Sequence, residues 1–580
     1  MESEDDLNGF RSDEWFQPDT LRAFAHRQRM QQIGYSRKDF IGKPVIGVFV
    51  SWNGFSTCHS HLRERAQVVV RGIRAAGGFP VEMPTMSLGE VMVKPTSMLY
   101  RNLLSMEIEE MLRAHPFDAA VLLGGCDKTV PGMIMGAISA DIPFAFVPAG
   151  PALGGSWKGE KVGAGTHTKL YWDKYRSGRI SKEDWIALES AMIRSAGTCN
   201  TMGTASTMSI AVEVLGLSLQ GSSAIPAVDS DHLRMCADAG ELSVNLAKKN
   251  RKPNQFLTKN HFLNALVAVC ACGGSTNALI HLIAMAGRAN INLSLEDVER
   301  IAKDTPVLID LMPSGAYLME DFFRAGGVPT LLKRLEPLLI ADTTTVESIT
   351  LREIARLAPE GDTGIIRQLN NSVSELPAFA VLRGNLAPGG AVMKPAAMDE
   401  RFLRHRGKVI VFNGPEDLAR RIDDPSLEVD SNSVLVLRHA GPVTGPGMPE
   451  WGNLPIPAKL LKDGVTDMIR ISDARMSGTH FGACILHVSP ESYPGSPLSL
   501  VEDGDFIEVD VLAGIIRLDV TDSELSSRRY LQNEMLKDQN SQSSIRGYAM
   551  LYKEHVEQSD LGCDFDFLRG YTPLDKPKIF

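Results

Sequence analysis

The sequence has few cysteines, no long apolar run and no excess of positive charge. Eight cysteines in 580 residues are too few for a disulfide framework, so we expect reduced thiols. No stretch approaches the roughly 18 consecutive apolar residues of a membrane-spanning helix. Glycine and proline follow no period, which excludes collagen-like and low-complexity chains. The composition therefore predicts a globular protein without a membrane span.

The charge pattern restricts the partners and the compartment. A net charge of −10 argues against nucleic acid as the main partner, because phosphate binding needs a basic surface. The first ten residues, MESEDDLNGF, are acidic and polar, unlike a signal or transit peptide. We therefore expect a cytoplasmic protein that binds neither nucleic acid nor membranes.

Strand-like and helix-like segments alternate through the first part of the chain. Apolar β-rich runs such as KPVIGVFVS and DAAVLLGG each lead into a Gly-rich loop and then a helical pattern. This alternation is typical of an α/β domain with a parallel sheet, and we assign residues 1–375 to it. Ligands of such sheets bind at the loops that follow the carboxyl ends of the strands.

The sequence pattern changes after about residue 375. Short β-rich runs such as GKVIVFNG and DFIEVDVLAG are separated by Gly, Pro and Asp. This pattern predicts a smaller, β-barrel-like domain over residues 376–580. We expect its last thirty residues to form an ordered tail that packs against the body of the protein.

Three cysteines lie in loops rich in Gly, Ser and Thr. Cys58 lies in WNGFSTCHSHL, Cys126 in LGGCDKTVPG and Cys199 in AGTCNTMGTAS. Thiolates are the ligands of iron–sulfur clusters, but the wide spacing fits no local zinc or ferredoxin motif. The residues alone leave two readings open, a shared metal or cluster site and three unrelated buried side chains.

The other five cysteines are weaker candidates for ligands. Four lie on apolar or helical stretches, where we expect core packing: Cys236, Cys270, Cys272 and Cys484. The Cys270–Cys272 pair has no further Cys or His nearby to complete a ligand set. Cys563 lies in the tail, and its role stays open.

Carboxylates and one serine form a second group of candidates. Glu90 and Glu450 end Gly-containing loops, and Asp127 and Lys128 follow Cys126. Carboxylate oxygens suit Mg²⁺, although isolated acidic loop residues are usually only solvated, and Lys128 beside Asp127 would normally be an ion pair. Ser477 lies in ISDARMSGTHFG, where a turn role is the default. No G-x-S-x-G elbow is present, so a hydrolase triad is poorly supported.

Seven segments of the chain, in order from about residue 40 to about residue 510, resemble the dihydroxy-acid and sugar-acid dehydratase family. The segments are GGCDKTVPGMIMGA, AGTCNTMGTASTM, CGGSTNALIHL, GNLAPGGAV, GPGMPEW, SDARMSGTHFG and HVSPES. Within that family the chain is similar to the aldonic acid (pentonate/hexonate) branch. The pointers are TCNTMGTASTM, GEVMVKPTSMLYRNL and the tail segments LYKEHV and GCDFDFL.

The resemblance implies a cofactor set and assigns residues to it. It implies a [2Fe–2S] cluster on the three loop cysteines and Mg²⁺ at four neighbouring positions: Glu90, Asp127, Lys128 and Glu450. The matching lysine of the family is carbamylated, which requires a neutral amine, so we expect the site to lower the pKa of Lys128. Ser477 matches the catalytic base, and Thr479 is placed to orient it or the substrate. For His59 and His61 we expect a supporting or packing role.

The resemblance also implies a reaction, which is elimination of water from a 2,3-dihydroxy sugar acid to give a 2-keto-3-deoxy acid. L-arabinonate, D-xylonate and D-gluconate are the expected kinds of substrate. The alternatives are a dihydroxy-acid dehydratase of branched-chain amino-acid synthesis and a non-catalytic iron–sulfur sensor of sugar acids. We further expect a homodimer or homotetramer, with the active site in the cleft between the two domains.

Overall fold

The computed structural model describes residues 9–537 and 545–571. The acidic segment at residues 1–8 and the end of the predicted tail at 572–580 lie outside the described residues. In chain order the helices are α1 (Asp13–Phe16), α2 (Leu21–Gln32), α3 (Arg37–Phe40), α4 (Leu62–Ala75), α5 (Arg101–Ala114), α6 (Thr129–Ala140), α7 (Thr166–Arg176), α8 (Lys182–Ala191), α9 (Thr204–Val214), α10 (Ser230–Lys249), α11 (Pro253–Phe256), α12 (Lys259–Ala271), α13 (Asn277–Arg288), α14 (Leu295–Asp304), α15 (Met319–Arg324), α16 (Gly327–Leu335), α17 (Leu351–Leu357), α18 (Pro415–Arg421), α19 (Ala458–Lys462), α20 (Asp522–Lys537) and α21 (Tyr548–His555).

The strands fall into two large sheets and one small hairpin. They are β1 (Val45–Ser51), β2 (Phe79–Thr85), β3 (Ala119–Gly124), β4 (Phe144–Pro148), β5 (Gly155–Trp157), β6 (Glu160–Val162), β7 (Ala380–Leu382), β8 (Gly390–Met393), β9 (Arg404–Asn413), β10 (Val434–Arg438), β11 (Arg470–Ser472), β12 (Cys484–Ser489), β13 (Phe506–Asp510) and β14 (Ile515–Leu518). Strands β5 and β6 form the hairpin.

The first sheet is parallel, in the order β2-β1-β3-β4, which confirms the predicted α/β architecture. Every residue of β1 and β3 is buried, because helices cover both faces of the sheet. Val48 and Val121 point into a core shared with α4 and α10, whereas Phe49 and Leu122 point into the core of α5 and α6. The alternation along β1 therefore divides its side chains between two apolar layers.

The second sheet has eight strands in the order β14-β13-β9-β10-β11-β12-β8-β7. A bridge between Arg383 and Ile515 joins its two ends, so the sheet is nearly closed, as the predicted barrel-like domain requires. Gly384 lies at this seam, where a Cβ would stand 1.9 Å from the Ile516 carbonyl oxygen. A glycine is needed there because the two edges approach each other so closely.

The predicted domain boundary at residue 375 stays a prediction. Helix α17 ends at Leu357 and β7 begins at Ala380, on either side of that position. The tail packs against the body through buried Tyr552 and Phe565, and the buried Arg101 donates to the carbonyl oxygen of Cys563 at 2.8 Å. Within the described residues, no helix has the length and apolar character needed to cross a bilayer.

Candidate active site

Three loops bring Cys58, Cys126 and Cys199 together. The first two follow β1 and β3, which are neighbours in the parallel sheet, so their loops meet at one edge. A hydrogen bond with Cys126, then burial, raises the pKa of the Cys58 thiol well above its usual range. Burial and the charges of Asp127 and Cys126 raise the pKa of the Cys199 thiol. Both pKa shifts have Cys126 among their causes, so the three side chains lie close together.

The backbone around Cys126 is held in an unusual conformation. Cys126 has a φ of 63°, in the left-handed region. A Cβ at Gly125 would stand 2.5 Å from Ala149 Cβ, so only glycine fits there. His59 Nε2 lies 2.7 Å from the Gly125 carbonyl oxygen, and its Nδ1 lies 2.7 Å from Ser87 Oγ. Both ring nitrogens of His59 are therefore engaged in holding the loop, as expected of a supporting residue.

The carboxylates of Glu90, Asp127 and Glu450 converge beside the thiols. One oxygen from each lies within 4.8 Å of the others. The Glu90 amide donates to Cys126 Sγ at 3.5 Å, which ties this group to the cysteines. Lys128 Nζ lies among the carboxylates, 3.2 Å from Glu90, 3.4 Å from Asp127 and 3.0 Å from Glu450. The ammonium acts as the counter-charge of the acidic group.

The Lys128 pKa is raised, so burial by itself does not lower it as the sequence led us to expect. Burial and the charge of Arg475 lower this pKa, but the attraction of Glu450, Glu90 and Asp127 outweighs them. Burial and the neighbouring carboxylates in turn raise the pKa of Asp127 to about 6.

Two further buried side chains position Glu450. Arg475 Nη1 donates to Glu450 Oε1 at 2.9 Å, and its Nη2 donates to Thr96 Oγ1 at 2.9 Å. Asn277 Nδ2 lies 3.0 Å from Glu450 Oε1 and 3.1 Å from the Met476 carbonyl oxygen. Asn277 thereby connects the acidic group with the loop that carries Ser477.

The loop Ser477–His480 carries the predicted base. Ser477 Oγ lies 2.9 Å from Thr479 Oγ1, and the Thr479 amide lies 3.5 Å from the same Ser477 oxygen. Two donors can therefore point at Ser477 Oγ and stabilise negative charge on it. The Ser477 side chain is partly exposed, so a small molecule can reach it.

The structure brings all predicted site residues into one region, but sequence reasoning did not single out Asn277 and Arg475. Both lie in the segments CGGSTNALIHL and SDARMSGTHFG, which carried the family resemblance. That these two polar side chains are fully buried can be seen only in the folded structure. The four cysteines on apolar or helical stretches are buried, as expected. Cys563 is buried too, and its Sγ lies 3.9 Å from Met448 Sδ.

The donor sets fit two different metal groups. Three convergent thiols suit an iron–sulfur cluster with one open ligand position, because thiolates are soft ligands. Three carboxylates in contact suit a hard divalent cation such as Mg²⁺. The buried Lys128 would join the carboxylates as a ligand only if it carried an anionic oxygen.

Comparisons with known proteins show which family and which dehydratases the chain is similar to. The N-terminal region of the dihydroxy-acid/6-phosphogluconate dehydratase family matches residues 43–354, and its C-terminal region matches residues 364–563. A 6-deoxy-6-sulfo-D-gluconate dehydratase of Pseudomonas putida is 52% identical over 99% of each chain. An L-arabinonate dehydratase of Rhizobium leguminosarum is 44% identical over 97% of this chain and 96% of its own. A dihydroxy-acid dehydratase of Thermodesulfovibrio yellowstonii is 36% identical over 93% of this chain and 98% of its own.

Proposed function

The chain belongs to the dihydroxy-acid/6-phosphogluconate dehydratase family and is a dehydratase, and we propose that its substrate is an aldonic acid. The reaction removes water from C2 and C3 of a 2,3-dihydroxy carboxylate. The product is the 2-keto-3-deoxy acid, formed when the enol tautomerises. The identities to sugar-acid dehydratases carry the proposed substrate class. The contact set in which Asn277 links Glu450 to the Ser477 loop supports a reaction at this site.

The identities favour the sugar-acid branch over the branched-chain amino-acid branch. The sulfogluconate and L-arabinonate dehydratases are 52% and 44% identical to this chain. The dihydroxy-acid dehydratase is 36% identical. A sensor without catalysis would need no hydroxyl activated as at Ser477, so its hydrogen bond with Thr479 supports an enzyme.

We assign Cys58, Cys126 and Cys199 to a [2Fe–2S] cluster and the three carboxylates with Lys128 to Mg²⁺. Bound there, the two groups would supply Lewis-acid chemistry for the leaving C3 hydroxyl and for the carboxylate and C2 oxygens. The chain contributes the ligands, the buried Arg475 that holds Glu450, and the loop that presents Ser477.

Ser477 Oγ is the proposed base that takes the C2 proton. A serine hydroxyl is too weak a base near neutral pH unless its alkoxide is stabilised. The Thr479 hydroxyl and amide are the donors that favour the charged form of Ser477. The buried guanidinium of Arg475 adds positive charge to the same region. Several kcal/mol of electrostatic stabilisation are needed, about the size such preorganised groups supply.

Carbamylation of Lys128 is expected to depend on Mg²⁺. Without a divalent cation, Glu90, Asp127 and Glu450 hold the amine in its charged, unreactive form. With ¹³C-labelled bicarbonate, we expect a carbamate resonance in the ¹³C NMR spectrum only after Mg²⁺ is added. The Lys128→Arg variant should lack it. A resonance that is equally strong without Mg²⁺ would contradict the dependence on Mg²⁺, and no resonance in either state would contradict the carbamate.

The substrate class is tested by turnover under anaerobic conditions. We expect the protein to convert aldonates such as D-gluconate or L-arabinonate into keto acids, with kcat/KM at least tenfold above that for 2,3-dihydroxyisovalerate. A chemical assay for 2-keto acids detects the product of every substrate in the same way. Preference for 2,3-dihydroxyisovalerate would assign the chain to branched-chain amino-acid synthesis instead. Tight binding of an aldonate without any keto acid would indicate a sensor.

A further inference from the structure

The loop that follows β10, residues 441–450, carries the candidate metal ligand Glu450 at its end. Inside the loop the Met448 amide donates to the Gly445 carbonyl oxygen at 2.7 Å. Arg475 Nε donates to the Met448 carbonyl oxygen at 2.7 Å, and the same guanidinium binds Glu450 Oε1. The end of the loop is thereby fixed, and the contacts at its beginning also affect where Glu450 lies.

Glu491 holds the beginning of this loop. Its carboxylate accepts hydrogen bonds from the Val443 amide at 3.0 Å, the Thr444 amide at 2.8 Å and the Thr444 hydroxyl at 2.8 Å. The Glu491 side chain is fully buried, and a Cβ at Gly441 would stand only 2.5 Å from its Cβ. A buried carboxylate fixes the backbone donors that it binds, because breaking such a charge-assisted bond leaves both partners unsatisfied in the interior.

The tail completes this arrangement through Gln558. Gln558 Nε2 donates to Glu491 Oε1 at 2.8 Å, and the Glu491 amide donates to Gln558 Oε1 at 2.8 Å. One side-chain amide thus binds both the backbone and the carboxylate of Glu491, which restricts the orientation of that carboxylate. Further along the tail, Cys563 Sγ lies 3.9 Å from Met448 Sδ. The tail therefore contacts the loop near its end and, through Glu491, at its beginning.

The tail and the loop also contact the segment that holds Glu90. Thr96 Oγ1 donates to Glu90 Oε1 at 2.9 Å, and three residues later the Leu99 carbonyl oxygen accepts a hydrogen bond from the Tyr548 hydroxyl at 2.7 Å. A Cβ at Gly447 would stand 2.7 Å from Leu99 Cβ, so the loop lies directly against this segment. A loop displaced at its beginning would therefore disturb the packing around both glutamates.

We propose that Glu491 is a positioning residue for the metal ligand Glu450, and that Gln558 of the tail holds Glu491 in place. Glu491 acts through the backbone of loop 441–450, to which it is bound by three hydrogen bonds. Loss of hydrogen bonds outside a ligand set typically weakens metal binding 10- to 100-fold, because the ligands are no longer held in the bound geometry. This inference rests on the assignment of Glu450 to Mg²⁺ in the proposed function.

The test measures Mg²⁺ binding itself, by isothermal titration calorimetry on anaerobic protein from which Mg²⁺ has been removed with a chelator. In Glu491→Gln we expect the dissociation constant for Mg²⁺ to rise about 10- to 100-fold, because an amide offers one oxygen where the carboxylate offers two. The iron content should stay at the native value. At saturating Mg²⁺, kcat should return to within about threefold of the native value, which distinguishes positioning from a chemical role.

A milder variant tests the contribution of the tail. Gln558→Leu keeps most of the side-chain volume but removes both hydrogen bonds with Glu491, so the dissociation constant for Mg²⁺ should rise about two- to tenfold. The matched control is Glu554→Gln, which makes the same chemical change as Glu491→Gln at an exposed carboxylate of the tail. This control should leave the Mg²⁺ affinity unchanged.

Three results would count against the inference. A folded Glu491→Gln protein with native Mg²⁺ affinity and only a lower urea midpoint of unfolding would overturn it, since Glu491 would then have a purely structural role. If Glu491→Gln does not fold, native Mg²⁺ affinity in Gln558→Leu would overturn it instead. Native protein that binds no Mg²⁺ would contradict the Mg²⁺ assignment of the proposed function, and this inference with it.

Discussion

Replacing Ser477 with alanine is expected to lower kcat by about 10²- to 10⁴-fold, the usual contribution of a general base. The variant should keep its iron and its Mg²⁺ affinity, because the Ser477 hydroxyl hydrogen-bonds with Thr479 and, within the described part of the chain, with no cysteine or carboxylate. The measurement is keto-acid formation under anaerobic conditions, with iron and Mg²⁺ determined on the same preparation. Loss of turnover with intact metal content would assign the effect to the missing hydroxyl.

A matched substitution separates the base from general damage. Ser426→Ala removes an exposed hydroxyl from the same C-terminal region and should leave kcat unchanged. The base lies elsewhere if Ser477→Ala retains more than about a tenth of the native kcat, since even a modest general base contributes about 10²-fold. Lost iron in that variant would mean that the loop supports the cysteine site, and the kinetic effect would then not identify a base.

Replacing Cys126 with serine is expected to remove iron and activity together. Native protein prepared without oxygen should be brown and hold about two irons per chain, as a [2Fe–2S] cluster requires. Serine lacks the soft thiolate, and Cys126 interacts with both of the other candidate ligands. Loss of outer hydrogen bonds alone typically costs 10- to 100-fold in metal sites, so loss of a ligand should lower activity more than about 100-fold.

Cys270→Ser is the matched control, because it makes the same chemical change at a thiol buried in α12. It should lower the stability of the protein by about 1–3 kcal/mol, since a hydroxyl is buried among apolar side chains, yet keep the colour and the iron. A bleached Cys270→Ser protein would overturn the ligand assignment. A colourless, iron-free native enzyme with full activity would overturn the cluster itself.

Much of the fold could be predicted from the order of residues. The runs around Val45–Ser51 and Ala119–Gly124 are short, apolar and followed by glycine, so their strands and the parallel sheet follow from local pattern. The barrel-like character of the C-terminal region was also predictable from its short strands. Its closure was not, because the bridge between Arg383 and Ile515 joins residues that no local pattern connects.

Part of the candidate site could likewise be predicted from the sequence, and part could not. The chemical roles of the loop cysteines, the carboxylates and Ser477 could be predicted from their residue types and motifs. The roles of Asn277 and Arg475 could not, because they depend on which side chains these residues contact. Lys128 shows the limit most clearly. Burial does not lower its pKa as expected, because three carboxylates from separate segments surround the ammonium and raise that pKa.

Sequence alone thus determined the family, the two-part architecture and the chemical types of the ligands, since each depends on local composition and motifs. Tertiary structure decided which groups face one another, such as Lys128 among the carboxylates and Thr479 beside Ser477. The physical reason is that charge, burial and hydrogen bonding act through space. Their balance at a site depends on distances between segments, which only the folded chain sets.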